Sequence, residues 1–316
     1  MGEQRLWRAA GAAGATALLL LPVAHASARF DSARLDRKLR SEPGLGSVLV
    51  ERNGRPLFAG YYHGDTESTR LDVFSVTKSV VSTLVGIAAQ HGLLRLDERL
   101  GDFFPKQVRA AQDRRVRSIT LRELLSMTSG YRDTMQLRSD DWIQSLVGRP
   151  LATNPGRSFA YDDGSYHLLS AVLTEATRLT AQQYARRVLF GPLRISGAHW
   201  TSDGQGHSLG NTGLRLSARE MLELGELYLH SGLLHGRRIV PADYVRAATY
   251  TKAGTGYGLG WWIVSTAQLN GFAALGYGGQ AIAVFPSKNL VVTVAGGGDD
   301  VRHVLFSSVL PALNLR

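Results

Sequence analysis

Strand-like segments stand at both ends of this chain, and helix-like segments fill the stretch between them. Near the start, residues 47–50 and Leu57-Phe58-Ala59 flank Asn53-Gly54, a dipeptide that favours a tight hairpin turn. Near the end, residues 257–264, 280–285 and 290–295 read as strands, and 301–310 as a closing helix. Between them, Val76, Val80, Leu84 and Ile87 recur at helical spacing up to Gly92. Thr120–Glu123 and Ser217–Glu220 have the capping-box form that opens helices, the first running to near Gly130 and the second to near Gly232. Residues 166–177 and 180–190 read as two further helices. The pattern predicts an α/β (α+β) fold: one central antiparallel sheet built from both termini, flanked by terminal helices, with a mainly helical lobe at roughly 93–245 inserted into it. A cleft between two such lobes is a natural place for an active site.

The 316 residues suffice for one large domain or two lobes sharing a core, and nothing in the middle resembles a linker or repeat. The N-terminus differs. Arg5 and Arg8 precede an apolar stretch over residues 9–23, then Ala24-His25-Ala26 offers small residues for cleavage. This layout predicts a signal peptide at 1–26, an exported mature domain at 27–316, and a secreted or periplasmic location. No later apolar run is long enough to span a bilayer, so no stable membrane span is expected once the signal is removed. The chain has no cysteine, which excludes thiolate chemistry and leaves stability to the core. Its net charge of +10 becomes +9 without residues 1–26. The arginines are scattered and carry no nucleic-acid motif, so a solvated basic surface is expected rather than a nucleic-acid partner. The nine histidines show no zinc spacing, and no metal or cofactor is expected.

One motif carries chemistry. In Ser75-Val-Thr-Lys78, a serine three residues before a lysine on a helix puts both side chains on one face. A serine hydroxyl needs a neighbouring base, and a desolvated lysine can serve. A serine at a helix start also has unpaired backbone N–H groups nearby for an oxyanion. Gly206-His-Ser208-Leu-Gly210 has the pattern of a nucleophile elbow, but its flanks read as loop instead of strand and helix, so Ser208 is not taken as a nucleophile.

The segment Asp72-Val-Phe-Ser75-Val-Thr-Lys78-Ser-Val80 resembles the active-serine motif of the serine β-lactamase and penicillin-recognising superfamily. It is most similar to the branch with class C β-lactamases, family VIII esterases, D-alanyl-D-alanine carboxypeptidases and 6-aminohexanoate-dimer hydrolases. The likeness continues in order through Leu96-Asp97, Phe104-Pro105, Ile119-Thr-Leu-Arg-Glu-Leu-Leu-Ser-Met-Thr-Ser-Gly130, Pro155-Gly156, Tyr161-Asp162-Asp163, Leu189-Phe-Gly-Pro-Leu193, Trp200, Gly213-Leu-Arg-Leu-Ser217, Tyr257-Gly-Leu-Gly-Trp-Trp262 and Tyr277-Gly-Gly-Gln280, covering roughly residues 45–300.

The resemblance implies acyl transfer through an acyl-enzyme on Ser75, with Tyr161 sharing the base role with Lys78. Asp163 stands where the lactamases usually carry asparagine. An aspartate beside Lys78 favours the ammonium and shifts the base role toward Tyr161; alternatively Asp163 caps the following helix. Tyr277-Gly278-Gly279 stands at the third motif, without the positive charge that holds a substrate carboxylate in many penicillin-recognising enzymes. The Gln280 N–H is then expected to form the strand half of the oxyanion hole. The expected substrate is a small ester, amide or peptide, with an esterase or amidase of the 6-aminohexanoate-dimer-hydrolase type favoured. A β-lactamase or carboxypeptidase is the alternative within the class. A non-catalytic wall- or ligand-binding relative is the alternative outside it.

Overall fold

The computed structural model describes residues 30–132, 141–251, 255–266, 269–296, 298 and 303–313. The expected signal peptide lies outside the described residues.

Among the described residues, six antiparallel strands form one sheet. Their spatial order is Arg55–Tyr61, Leu45–Arg52, Leu290–Gly296, Gln280–Phe285, Asn270–Gly276, Trp262–Ser265. The strands of the first and last thirds of the chain thus lie side by side in one sheet, joined where Leu45–Arg52 pairs with Leu290–Gly296. Arg52 stands opposite Arg55, so Asn53-Gly54 is a two-residue turn with φ of 54° and 66°. Positive φ at both positions matches the right-handed twist of the strands it joins.

Both faces of the sheet are covered, so its strands are apolar at successive positions and not only at alternate ones. Ala281, Ala283, Phe285, Val292 and Val294 face a core shared with Leu35 and Leu39 of the Ser32–Arg40 helix and with Val304, Leu305 and Val309 near the C-terminus. Ile282, Val284 and Val291 face the other, larger core. There the Ala218–Leu229 helix lies so close that a Cβ on Gly225 would stand 2.5 Å from Val291 Cγ1. That helix falls within the 93–245 block yet packs on the sheet. The C-terminal segment winds as a π-helical stretch, His303–Val309, before one α-turn, Leu310–Ala312.

The Val76–Gln90 helix runs through the larger core and is buried from Val76 to Ala88. A helix that is apolar on every side is a central helix. Two of its hydroxyls bond the segment packed on it: Ser79 Oγ donates to Gly260 O and Ser82 Oγ to Leu259 O, both at 2.6 Å. Against it packs the Asp163–Thr177 helix.

Local signals are realised with shifted ends. Both capping boxes form: Glu123 Oε2 accepts the Thr120 N–H at 2.8 Å, and Glu220 Oε2 accepts the Ser217 N–H at 2.8 Å. The first helix stops at Leu125 instead of near Gly130. The expected strand over 257–264 is confined to Trp262–Ser265, because the chain turns before it, with the Gly258 N–H donating to Trp261 O at 2.8 Å. The Asn270–Gly276 strand was not expected; its small residues give little strand signal. No helix among the described residues is long and apolar enough to cross a membrane.

Candidate active site

Ser75 sits at the entrance of the Val76–Gln90 helix, partly exposed, while the helix behind it is buried. The residue before it, Phe74, has φ of 45°, a conformation uncommon for a side chain of its size. The Asp72 carboxylate holds that turn, its Oδ1 accepting the Phe74 N–H at 2.7 Å. The Ser75 N–H has no acceptor among the described residues, as expected in a first helical turn. The strained step thus presents the hydroxyl and an available amide together.

Lys78 stands one turn on, 1% exposed. Its Nζ lies 2.7 Å from Ser75 Oγ, 3.2 Å from Asn211 O and 2.5 Å from Asp163 Oδ1. Ser75 Oγ and Asn211 O accept hydrogen bonds from Nζ, while the Asp163 carboxylate faces it as an ion pair without an aligned hydrogen bond.

Asp163 is the first residue of its helix, and the cap is its neighbour Asp162, which accepts the Ser165 N–H at 2.8 Å. This corrects the capping alternative for Asp163. The cap belongs to Asp162, because its extended backbone turns the carboxylate onto the helix end while Asp163 points to Lys78. Asp162 is fully buried and held by Arg149 through two hydrogen bonds, at 2.9 and 3.2 Å. The Arg149 guanidinium in turn lies 4.3 Å from the Tyr131 ring centroid. This anchor fixes the start of the helix and so the place of Asp163.

Tyr161 joins the site through its ring. Lys78 Nζ lies 4.9 Å from the ring centroid, and the ring stacks on Trp262 at 5.8 Å and 12°. Tyr257 meets both edge-on, at 6.3 Å and 4.9 Å. The Tyr161 hydroxyl has no hydrogen bond among the described residues, so the group that touches Ser75 is Lys78. Burial pushes the Tyr257 hydroxyl well above the ordinary phenol range, with Tyr161 and Asp163 adding to it. Beyond Tyr161 opens a cavity of about 460 Å³ walled by Tyr131, Arg132, Phe159 and the backbone around Thr153.

The third motif is placed differently from its sequence reading. A glycine that meets the nucleophile turn is Gly276, before the Tyr277-Gly278-Gly279 tip. A Cβ on Gly276 would stand 2.3 Å from Val73 O and 3.3 Å from Ser75 N. Gln280 lies across from Gly276 at the start of the neighbouring, interior strand, its side chain buried and its Nε2 3.4 Å from Gly278 O. Trp262–Ser265 pairs with its neighbour only as far as Ala273, so among the described residues Ala274–Gly276 has no strand partner on that side. Tyr277 follows at the hairpin tip, 66% exposed, its ring edge-on to Phe74 at 5.5 Å. Sequence reasoning missed Gly276 because the strand that ends on it was itself missed. It also missed Asn211, which acts through a backbone carbonyl and leaves no side-chain signal.

Ser208 of the second serine motif is buried. Its Oγ accepts the Gln182 N–H at 3.1 Å, and its carbonyl accepts from Ser170. Among the described residues, no group of three His, Asp or Glu side chains is placed to hold a metal ion.

The sequence matches the model of the Beta-lactamase family over residues 34–299. Protein flp of Staphylococcus aureus (strain MW2) is 25% identical over 170 residues, 48% of this chain and 34% of that protein. The match thus spans about a third of the curated relative's length. A Bacillus anthracis protein provisionally named a 6-aminohexanoate-dimer hydrolase shares the fold with a TM-score of 0.75, at 18% identity over 88% of this chain and 81% of the other. A D-stereospecific amidohydrolase from Streptomyces sp. does so with a TM-score of 0.70, at 16% identity over 89% and 99%. With most of its length matched by one family and its fold shared with hydrolases, the chain belongs to the Beta-lactamase family.

Proposed function

We propose that this hydrolase acts on small esters or amides through an acyl-enzyme on Ser75, after export and removal of residues 1–26. The observation that carries the reading is the contact of Ser75 Oγ with the Nζ of a buried lysine whose other neighbours are Asp163 and Asn211 O. Ser75 Oγ attacks the carbonyl carbon while its proton passes to Lys78, and Asp163 balances the charge that Lys78 gains. As the tetrahedral intermediate collapses, the bond to the leaving group breaks and that group takes the proton, with Tyr161 beside Lys78 to relay it. Water then attacks the acyl carbon, giving its proton back through the same groups, and Ser75 is released.

The Ser75 N–H supplies one half of the oxyanion hole. We assign the other half to the Gly276–Tyr277 step, which lies against the nucleophile turn; the sequence reading gives it to the Gln280 N–H. Of the two candidates for the base, Lys78 is the one in contact with Ser75 Oγ, and Tyr161, against which Lys78 Nζ lies, remains the alternative that the sequence favours. With Gly276 as the glycine of the third motif, the charged place two residues before it is taken by Ala274, and the exposed Tyr277 follows beside the nucleophile turn. The missing charge favours uncharged substrates over β-lactams and wall peptides.

Stopped-flow hydrolysis of p-nitrophenyl esters, short amides and a chromogenic cephalosporin tests the reading. The expected result is a burst of p-nitrophenol equal to the enzyme concentration, with the cephalosporin turned over far more slowly. Preferred hydrolysis of the cephalosporin supports the β-lactamase alternative, and no burst with any substrate supports a non-catalytic relative.

A further inference from the structure

The Asp163–Thr177 helix carries a second polar group one turn beyond Asp163. His167 is buried, its ring flat on Trp142 with centroids 3.5 Å apart. Its Nδ1 accepts the Gly210 N–H at 3.1 Å, and its Nε2 stands 3.1 Å from Asp203 Oδ2. A ring nitrogen that accepts from an amide carries no proton, so the imidazole is neutral with its proton on Nε2, the nitrogen nearer Asp203. Asp203 Oδ1 accepts the N–H groups of Gln205 and His207 at 2.8 and 2.9 Å. The ring therefore ties the 203–210 loop to the helix. Contact there is close: a Cβ on Gly210 would lie 2.0 Å from Tyr166 O.

The next residue is Asn211, whose carbonyl receives Lys78 Nζ. One helix thus sets two of the three oxygens around Lys78, Asp163 directly and Asn211 O by way of Gly210. We infer that His167 is a positioning residue for the Ser75–Lys78 pair, holding Gly210 so that the Asn211 carbonyl stays against Lys78 Nζ. This rests on the serine-hydrolase reading of the site and deepens it. It also gives the Gly206–Gly210 segment a role other than that of a nucleophile elbow.

The inference has a pH signature. The titratable groups facing the ring are Asp203 and His207 from the loop, with Asp163 one turn away on its own helix. Burial lowers the affinity of His167 for a second proton below the ordinary histidine range, with Asp203 opposing and His207 reinforcing it. As the pH falls through that lowered range, Nδ1 gains a proton that faces the Gly210 N–H, donor against donor, and the tie is lost. It is fully present above the ordinary histidine pKa.

The test compares His167→Asn with His167→Gln in the full chain. Asparagine places an amide oxygen near the Nδ1 position, and glutamine places its amide near Nε2. The readout is the rate constant for labelling of Ser75 by a fluorophosphonate, per folded protein as fixed by thermal melts, between about pH 5 and 8. Near neutral pH, His167→Gln is expected to label about tenfold more slowly, the size of one lost hydrogen bond, and His167→Asn within about threefold of wild type. The acid limb of the wild-type profile is expected to flatten in His167→Asn. Equal rates in both variants with an unchanged acid limb overturn the inference, as does an equal loss in both that follows the unfolded fraction. Wild-type protein that does not label at Ser75 refutes the serine-hydrolase reading and takes this inference with it; labelled wild type with an indifferent His167→Gln refutes only the role of His167.

Discussion

Replacing Gly276 with alanine tests the geometry of the site without touching a group that moves protons. The added Cβ would stand 2.3 Å from Val73 O, 3.1 Å from Gln280 Cβ and 3.3 Å from Ser75 N. A carbon and a carbonyl oxygen settle at about 3.3 Å or more, so strand and nucleophile turn must separate by about 1 Å. Gly276 is outside the left-handed region, so the effect is one of space alone. Separation of this kind widens the oxyanion hole, and a misplacement of about 1 Å costs on the order of a hundredfold in rate. Overpacking lowers stability by about 1–3 kcal/mol, which leaves the fold intact. The assay is the single-turnover acylation rate with a p-nitrophenyl ester, with a thermal melt on the same sample. Near-wild-type acylation in folded Gly276→Ala would show that this strand end does not shape the oxyanion hole.

Three further outcomes follow from the same structure. Asp163→Asn removes the charge facing Lys78 Nζ and is expected to slow acylation by about 10- to 100-fold, the low end of what a close charge pair contributes; an unchanged burst rate and pH profile would separate Asp163 from the proton transfer. Asp162→Ala strips the helix cap and leaves the Arg149 charge buried beside it, so unfolding free energy by urea titration should fall by about 3–5 kcal/mol; a loss below about 1 kcal/mol would mean that the pair is not holding the helix start. Burial, then repulsion from Glu51 and Glu223, raises the Glu226 pKa to about 7. A carboxyl raised in the folded state favours folding most below its unfolded value of 4.5 and progressively less as the pH rises through 7. Glu226→Gln should therefore raise the melting temperature above pH 7 and leave it unchanged near pH 4, and an equal shift at both would rule out this linkage.

What the sequence shows about this molecule is mostly what local chemistry decides. Asn53-Gly54 specifies its turn, Thr120 and Ser217 each bond to the glutamate three residues on, and the Ser75–Lys78 spacing fixes two side chains on one helical face whatever packs around them. The ordered likeness to a known family extends this to Tyr161 and Asp163. The rest depends on contacts between distant segments. Gly276 matters because its backbone meets Val73 and Ser75, some 200 residues earlier in the chain, and small residues at such a meeting mute the strand signal. Asp162 and Asp163 are adjacent and chemically alike; only the direction each takes in the fold makes one a cap and the other a partner of Lys78. His167 and Asp203 are far apart in sequence, and neither sits in a motif. Asn211 contributes a carbonyl, which every residue has.

The central claim is that Ser75 is the acylated nucleophile. The direct measurement is peptide mapping by mass spectrometry after reaction of the folded protein with a fluorophosphonate. The account predicts a single adduct on the peptide carrying Ser75, absent in Ser75→Ala and strongly slowed in Lys78→Ala. An adduct on another serine, or no adduct on protein shown to be folded by its melting transition, would contradict it.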